Sequence, residues 1–96
     1  MKTIAKKITG NLIVSENTTY HHIFVESVTV ESGVTARLYG SVSNEIIVKE
    51  DAVAYLHGNL LGTVVNLGGT VYVFKPNGKI EGYEPTNESA FKLKKL

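Results

Sequence analysis

The residues best suited to chemistry in this chain are its three histidines, His21, His22 and His57. Imidazole groups bind metal ions and transfer protons near neutral pH. In an 18-residue period His21 and His57 share one column, two coils and about 9.6 Å apart, with Tyr39 between them. That separation is too long for one set of ligands with Zn–N bonds of about 2.1 Å. We therefore predict an exposed ladder of aromatic and imidazole rings, the alternative being a metal or acid–base site.

Other signatures of catalysis do not occur. The chain has no cysteine, and it lacks the G-x-S-x-G nucleophile pattern, a phosphate loop ending in G-K-[ST] and the H-E-x-x-H zinc pattern. Hexapeptide-repeat acyltransferases also form triangular coils, but their [LIV]-G-x4 rhythm recurs three times per coil, whereas glycine here recurs mainly once. We expect no catalytic, cofactor-binding or metal-binding residues, and no enzyme activity.

These side chains would be positioned by an 18-residue repeat, which runs through residues 28–45, 46–63 and from 64 onward. A unit of this length is too short for a helix pair, which needs roughly 33 to 47 residues. It suits three short strands, joined by tight corners into a triangular coil that hydrogen-bonds to the next coil. We predict an all-β, single-domain β-solenoid of about four coils. The columns are Val28 with Ile46 and Val64, Ala36 with Ala54, Leu38 with Leu56 and Phe74, and Gly40 with Gly58.

The ends of the repeat divide this single domain into three parts. Residues 1–9 are predicted to be an N-terminal cap or lead-in, residues 10–83 the coils, and residues 84–96 a C-terminal tail or cap. The first coil is expected to be irregular, with Phe24 beneath Val42. Within the last coil, the Pro-Asn-Gly sequence at 76–78 breaks the register, because these residues favour turns, and residues 78–82 then repeat the pattern of 58–62.

An apolar strip is expected outside the coils. Side chains alternate between the two faces of a strand, so placing Ala54 and Leu56 inside turns their neighbours outward. Those neighbours are Val53, Tyr55, Val71 and Val73. Two alternatives follow. Either the tail covers the strip as a short helix with Phe91, Leu93 and Leu96 on its apolar side, or the strip binds a partner or a second copy.

The middle of the chain is acidic. Between residues 11 and 74, six acidic side chains stand against Arg37 and Lys49. Such a flank favours docking of a basic protein. The predicted partner-binding residues are Val53, Tyr55, Val71, Val73, Glu31, Glu50 and Asp51. The lysines of the tail are too few to predict nucleic-acid binding.

The compartment is inferred from composition. Without cysteine there is no disulfide framework. No apolar run has the length of a signal peptide or approaches the roughly 20 residues of a membrane span. We therefore expect a soluble, cytoplasmic protein without membrane insertion.

The repeat resembles one family, the bactofilins, which are polymer-forming bacterial β-helix proteins. The resemblance lies in VTVESG at 28–33 with GSV at 40–42, IIV at 46–48 with GNL at 58–60, and NLGGTVYV at 66–73 with GKI at 78–80. It implies a right-handed β-helix that stacks end to end into filaments as a cytoskeletal scaffold. The irregular first coil and the interrupted last one depart from that pattern.

Two functions are therefore expected as alternatives. The first is a non-catalytic, protein-binding β-solenoid, with a bacterial immunity or inhibitor protein that masks a basic toxin as the specific hypothesis. The second is a bactofilin-like, self-assembling scaffold.

Overall fold

A computed structural model of the chain describes residues 1–74 and 80–83, and all regular structure in this part is β-strand. None of these residues belongs to a helix that is long and apolar enough to cross a membrane. The strands are β1 (Lys2–Val14), β2 (Thr18–Val30), β3 (Thr35–Val48), β4 (Val53–Leu60), β5 (Thr63–Asn66), β6 (Thr70–Phe74) and β7 (Ile80–Tyr83).

The strands stack as successive coils of one continuous sheet. β1, β2, β3, β4 and β6 pair in parallel in chain order, and β5 continues the path of β4 by pairing in parallel with β3. β7 then pairs with β6 in the antiparallel direction. The prediction of an all-β solenoid with about four stacked coils is confirmed.

The core is a set of inward columns along the solenoid axis. Ala36 lies over Ala54 and Leu38 over Leu56, as the repeat predicts, and all four side chains are fully buried. The apolar side chains of β2 and β3 bury on alternate positions, because a strand directs alternate residues to opposite faces. Only the stack buries these residues, since each coil covers its neighbours.

Gly40 and Gly58 form one corner of the triangle, and both need to be glycine. Their φ angles are 145° and 153°, in a region that other residues rarely adopt. A Cβ atom at Gly58 would lie 1.9 Å from the carbonyl oxygen of Gly40. The corner of each coil therefore rests directly on the backbone of the coil before it, as the shared column predicts.

The first coil differs from the prediction. β1 begins at Lys2 and pairs with β2 at an offset of 15 or 16 residues, so most of the segment predicted as a lead-in belongs to the coil. A bulge between Tyr20 and Ile23 also shifts β2 against β3, and Val25 rather than Phe24 pairs with Val42. The prediction that Phe24 lies beneath Val42 is therefore wrong; Phe24 pairs with Ser41 and its side chain is 52% exposed.

A second register change comes from Asn66, which is buried at the end of β5. Its Oδ1 accepts the N–H groups of Gly69 at 2.8 Å and Gly68 at 3.1 Å, and its Nδ2 donates to the carbonyl of Gly69 at 3.1 Å. These bonds close a tight corner that is one residue shorter than the equivalent corner after Val48, because Asn66 pairs with Val48 but Thr70 pairs with Val53.

This shortened corner reverses the predicted faces of β6. Val71 pairs with Ala54 and Val73 with Leu56, and both valines are 0% exposed. The prediction that Val71 and Val73 point outward is wrong, because the loss of one residue exchanges the two faces of a strand. Phe74 is correspondingly not in the inner column of Leu56. The Pro-Asn-Gly break and the tail, with its predicted helix and its cover of the strip, lie outside the described residues.

Leu56→Ala is expected to lower the free energy of unfolding by about 2 to 5 kcal/mol, because it opens a cavity between Leu38 and Val73. Urea denaturation at fixed temperature measures the change. Leu61→Ala is the matched control, since Leu61 is 76% exposed, and its effect should stay within about 0.5 kcal/mol. Equal effects of the two substitutions would contradict the inward position of Leu56.

Candidate functional site

The outer surface carries a ladder of stacked rings. The ring centroids of His21 and Tyr39 lie 5.4 Å apart, and those of Tyr39 and His57 lie 4.5 Å apart, with interplanar angles of 17° and 10°. The ladder continues to Phe74, whose ring lies 4.3 Å from that of His57. The predicted ladder of imidazole and aromatic rings is therefore confirmed, and it is one ring longer than the period indicated.

A second column runs beside the first. The guanidinium carbon of Arg37 lies 4.5 Å from the ring centroid of Tyr55, and the ring of Tyr55 stacks on Tyr72 at 5.8 Å. Tyr55 also approaches Phe74 in the first column, at 6.4 Å between centroids. The two columns together form one surface, called here the ladder face, which consists of His21, Arg37, Tyr39, Tyr55, His57, Tyr72 and Phe74.

Parallel pairing in register explains this surface. Arg37 pairs with Tyr55 and Tyr39 with His57, so like positions on successive coils lie one strand spacing apart, about 4.8 Å. Residues two apart on a strand point to the same side, which sets the columns next to each other. The same register that packs the core inside therefore stacks the rings outside.

Arg37 and His57 connect the two columns through a hydrogen bond. The guanidinium Nη1 lies 2.9 Å from Nε2 of His57. A guanidinium group only donates hydrogen bonds, so Nε2 is the acceptor and the ring proton is on Nδ1. Burial, and secondarily the positive charge of Arg37, lowers the pKa of His57 below its usual value of 6.5. His57 is therefore held as the neutral Nδ1–H tautomer.

The strand segments that carry the ladder face contain no acidic residue. Residues 2–8, 18–23, 35–40, 53–58 and 70–74 include lysine, arginine and histidine but neither Asp nor Glu. The acidic residues among the described ones lie outside these segments; they are Glu16, Glu26, Glu31, Glu45, Glu50, Asp51 and, on β7 next to β6, Glu81. The coil thus gathers Arg37 and the rings on segments without a carboxylate, which the linear sequence does not reveal.

The predicted partner-binding residues separate into three groups. Val53 and Tyr55 point outward and are half-buried, and Tyr55 belongs to the ladder face. Val71 and Val73 are in the core and present no outer surface. The acidic residues lie at the corner that follows Val30 in one coil and Val48 in the next. There Glu31 binds Lys49 at 3.0 Å, while Glu50 and Asp51 are exposed.

Sequence reasoning missed Arg37, Tyr72 and Phe74 as surface residues. Arg37 was detectable, because the unbroken 18-residue offset places it beside Tyr55. Tyr72 and Phe74 were not, because they come after the shortened corner at Asn66. The face therefore combines residues that the period identifies with residues that only the changed register brings to it.

A metal site built from the histidines has no support in the described coils. Tyr39 lies between His21 and His57, and no group of three or more His, Asp or Glu side chains among residues 1–74 and 80–83 is placed to hold a metal ion.

Comparison with protein families, with curated protein sequences and with solved structures gave no match. The resemblance to bactofilins stays a prediction.

The protonation state of His57 predicts a pH dependence of stability. Its pKa is lower in the folded chain than in the unfolded chain, so the unfolded chain binds the proton first as the pH falls. The contribution of neutral His57 to the free energy of unfolding is complete above about pH 6.5, and it is lost as the pH falls toward the pKa of the folded chain. Urea denaturation at about pH 7.5 and pH 5.5 should show a smaller loss of stability for His57→Gln than for the unmodified chain, since both retain His21 and His22.

Long-range ¹H–¹⁵N spectra check the same assignment directly. At neutral pH they should show His57 as the Nδ1–H tautomer, the less common one in solution. An Nε2–H tautomer, or equal pH slopes for His57→Gln and the unmodified chain, would contradict the assigned hydrogen bond.

Proposed function

We propose that this chain is a non-catalytic, protein-binding β-solenoid that docks its partner through the ladder face. The observation that carries the proposal is the continuous run of stacked rings with Arg37 among them, on strand segments without an acidic residue. Tyrosine and arginine are the residue types that supply most binding energy at protein interfaces.

The stacking itself favours binding. Each ring of the ladder face is already restricted by its neighbours, for example Tyr39 between His21 and His57. Ordering a mobile side chain at an interface costs about 0.5 to 1.5 kcal/mol. A face with side chains ordered before the encounter avoids part of that cost, as does the rigid backbone beneath it.

The expected role of a bacterial immunity or inhibitor protein belongs to this functional class. Such a protein neutralises a toxin by covering its surface, which needs a rigid face and no catalytic group. A basic toxin would approach the acidic corner of Glu50 and Asp51, whereas other partners would approach the ladder face. The acidic corner lies next to the ladder face but consists of different residues, so substitutions distinguish the two surfaces.

The test is cross-linking of the full, tagged chain in the cells that produce it, followed by mass spectrometry. Tyr55→Asp with Tyr72→Asp should remove the cross-linked partner, because two carboxylates would interrupt the ladder face. Glu50→Gln with Asp51→Asn is the matched control and should retain it, since asparagine tolerates the positive φ of 64° at position 51. Thermal denaturation verifies that both variants fold.

Two results would contradict the proposal. One is loss of the partner only in the Glu50 and Asp51 variant, which would move the interface to the acidic corner. The other is an unmodified chain that cross-links to no other protein.

A second candidate function, the self-assembling scaffold, is favoured by the N-terminal end of the solenoid. β1 is 13 residues long, and within the described coils it pairs only with β2. Ile4, Ile8 and Leu12 pack against the core but are only partly buried. Exposed strand edges of this kind associate with other strands, although lysines such as Lys6 and Lys7 oppose it.

Light scattering at increasing protein concentration tests the scaffold. Growth in mass with concentration that Ile8→Lys prevents would support assembly through β1, because a charge there would have to be buried between two chains. A constant monomer mass up to high concentration would exclude the scaffold and leave docking to the ladder face untouched.

A further inference from the structure

We infer that the ladder face recognises an acidic segment of a partner protein, that is, a run of Asp and Glu side chains. The inference rests on the proposed function, and it gives the partner's chemistry. It differs from the sequence-based expectation of a basic partner, because the folded coils place the acidic residues elsewhere.

The first argument is charge. The ladder face carries the positive charge of Arg37, whereas His57 is neutral. Lys6 and Lys7 lie exposed on β1, where the ammonium of Lys7 is 5.4 Å from the ring centroid of Phe24. No Asp or Glu lies in residues 18–23, 35–40, 53–58 and 70–74, the segments that carry the face. A basic partner would instead bring like charge against Arg37, which disfavours binding.

The second argument is the geometry of the rings. Tyr39 and His57 stack with an interplanar angle of 10°, so their electron-rich faces are covered by each other. Side chains stand roughly perpendicular to a sheet, so ring edges and tyrosine hydroxyls point away from it. Ring edges carry partial positive charge and hydroxyl groups donate hydrogen bonds, which suits carboxylate oxygens.

The third argument is the orientation of Arg37. Its guanidinium group is held over Tyr55 at 4.5 Å and by His57 at 2.9 Å. The bond to His57 uses one of five N–H donors. A guanidinium group fixed in this way is prepared to bind a carboxylate through two parallel hydrogen bonds, the strongest form of this contact.

Nucleic acid fits the same surface less well. Single strands bind by stacking bases on uncovered aromatic faces, and the stacking within the ladder face covers these faces on the inner rings. Binding to phosphates also depends on the number of cations that displace counterions, and Arg37, Lys6 and Lys7 are few. An acidic protein segment is therefore the partner that the face favours.

The experiment is an NMR titration of the ¹⁵N-labelled full chain with an oligoglutamate of about ten residues, which reaches roughly 33 Å when extended. Amide shifts should concentrate on β3, β4 and β6 around the ladder face, and they should weaken with added salt. Arg37→Gln should weaken binding about tenfold, which corresponds to about 1.4 kcal/mol. Glu50→Gln with Asp51→Asn should leave it unchanged or slightly tighter.

Two controls address other sources of binding. Lys92→Gln with Lys94→Gln and Lys95→Gln removes the lysines of the tail and should leave the shifts on the ladder face in place. In the second control, the titration is repeated with oligolysine and with oligothymidylate of the same length in place of oligoglutamate.

The inference would be overturned if oligolysine or oligothymidylate bound the ladder face more tightly than oligoglutamate. It would also be overturned if oligoglutamate shifted only the amide signals of the tail. If the cross-linked partner depends on Tyr55 and Tyr72 but oligoglutamate produces no shifts on the ladder face, the inference fails and the proposed function stands. If the cross-linked partner does not depend on them, the proposed function fails.

Discussion

The hydrogen bonds of the buried Asn66 side chain decide which side of β6 faces the core. By accepting the N–H groups of Gly68 and Gly69, the amide closes the corner before β6 with one residue fewer than the corner before it. A strand exchanges its two faces when its register moves by one residue. The valines of β6 therefore complete the core over Leu56, and Tyr72 and Phe74 complete the ladder face.

The columns of the core and the columns of rings on the surface both result from one strand register. Parallel coils in register place like residues above each other, so aliphatic side chains form columns in the core and rings form columns on the surface. A substitution that shifted a strand by one residue would change both. The surface we propose for docking therefore depends on the same interactions that make the chain stable, including the close contact of Gly58 with Gly40.

The linear repeat was accurate wherever the coils keep the same length. Leu38 with Leu56, Gly40 with Gly58, and His21 with Tyr39 and His57 are all columns that an 18-residue offset identifies or approximates. It failed for Phe24, where β2 has a bulge, and for Val71 and Val73, which follow the shortened corner. Bulges and short corners change the register by one residue without a clear change in composition, so the period does not reveal them.

The sequence by itself determined the fold class, because a period of 18 residues with alternating apolar positions has few other ways to bury its side chains. It also determined the ladder of His21, Tyr39 and His57. Tertiary structure alone decided which side of β6 faces the core, since that depends on hydrogen bonds made by a single buried amide. It also decided where Arg37 and the acidic residues lie, because only the closed coil sets Arg37 among the rings and brings Glu31 and Lys49 together at a corner with Glu50 and Asp51.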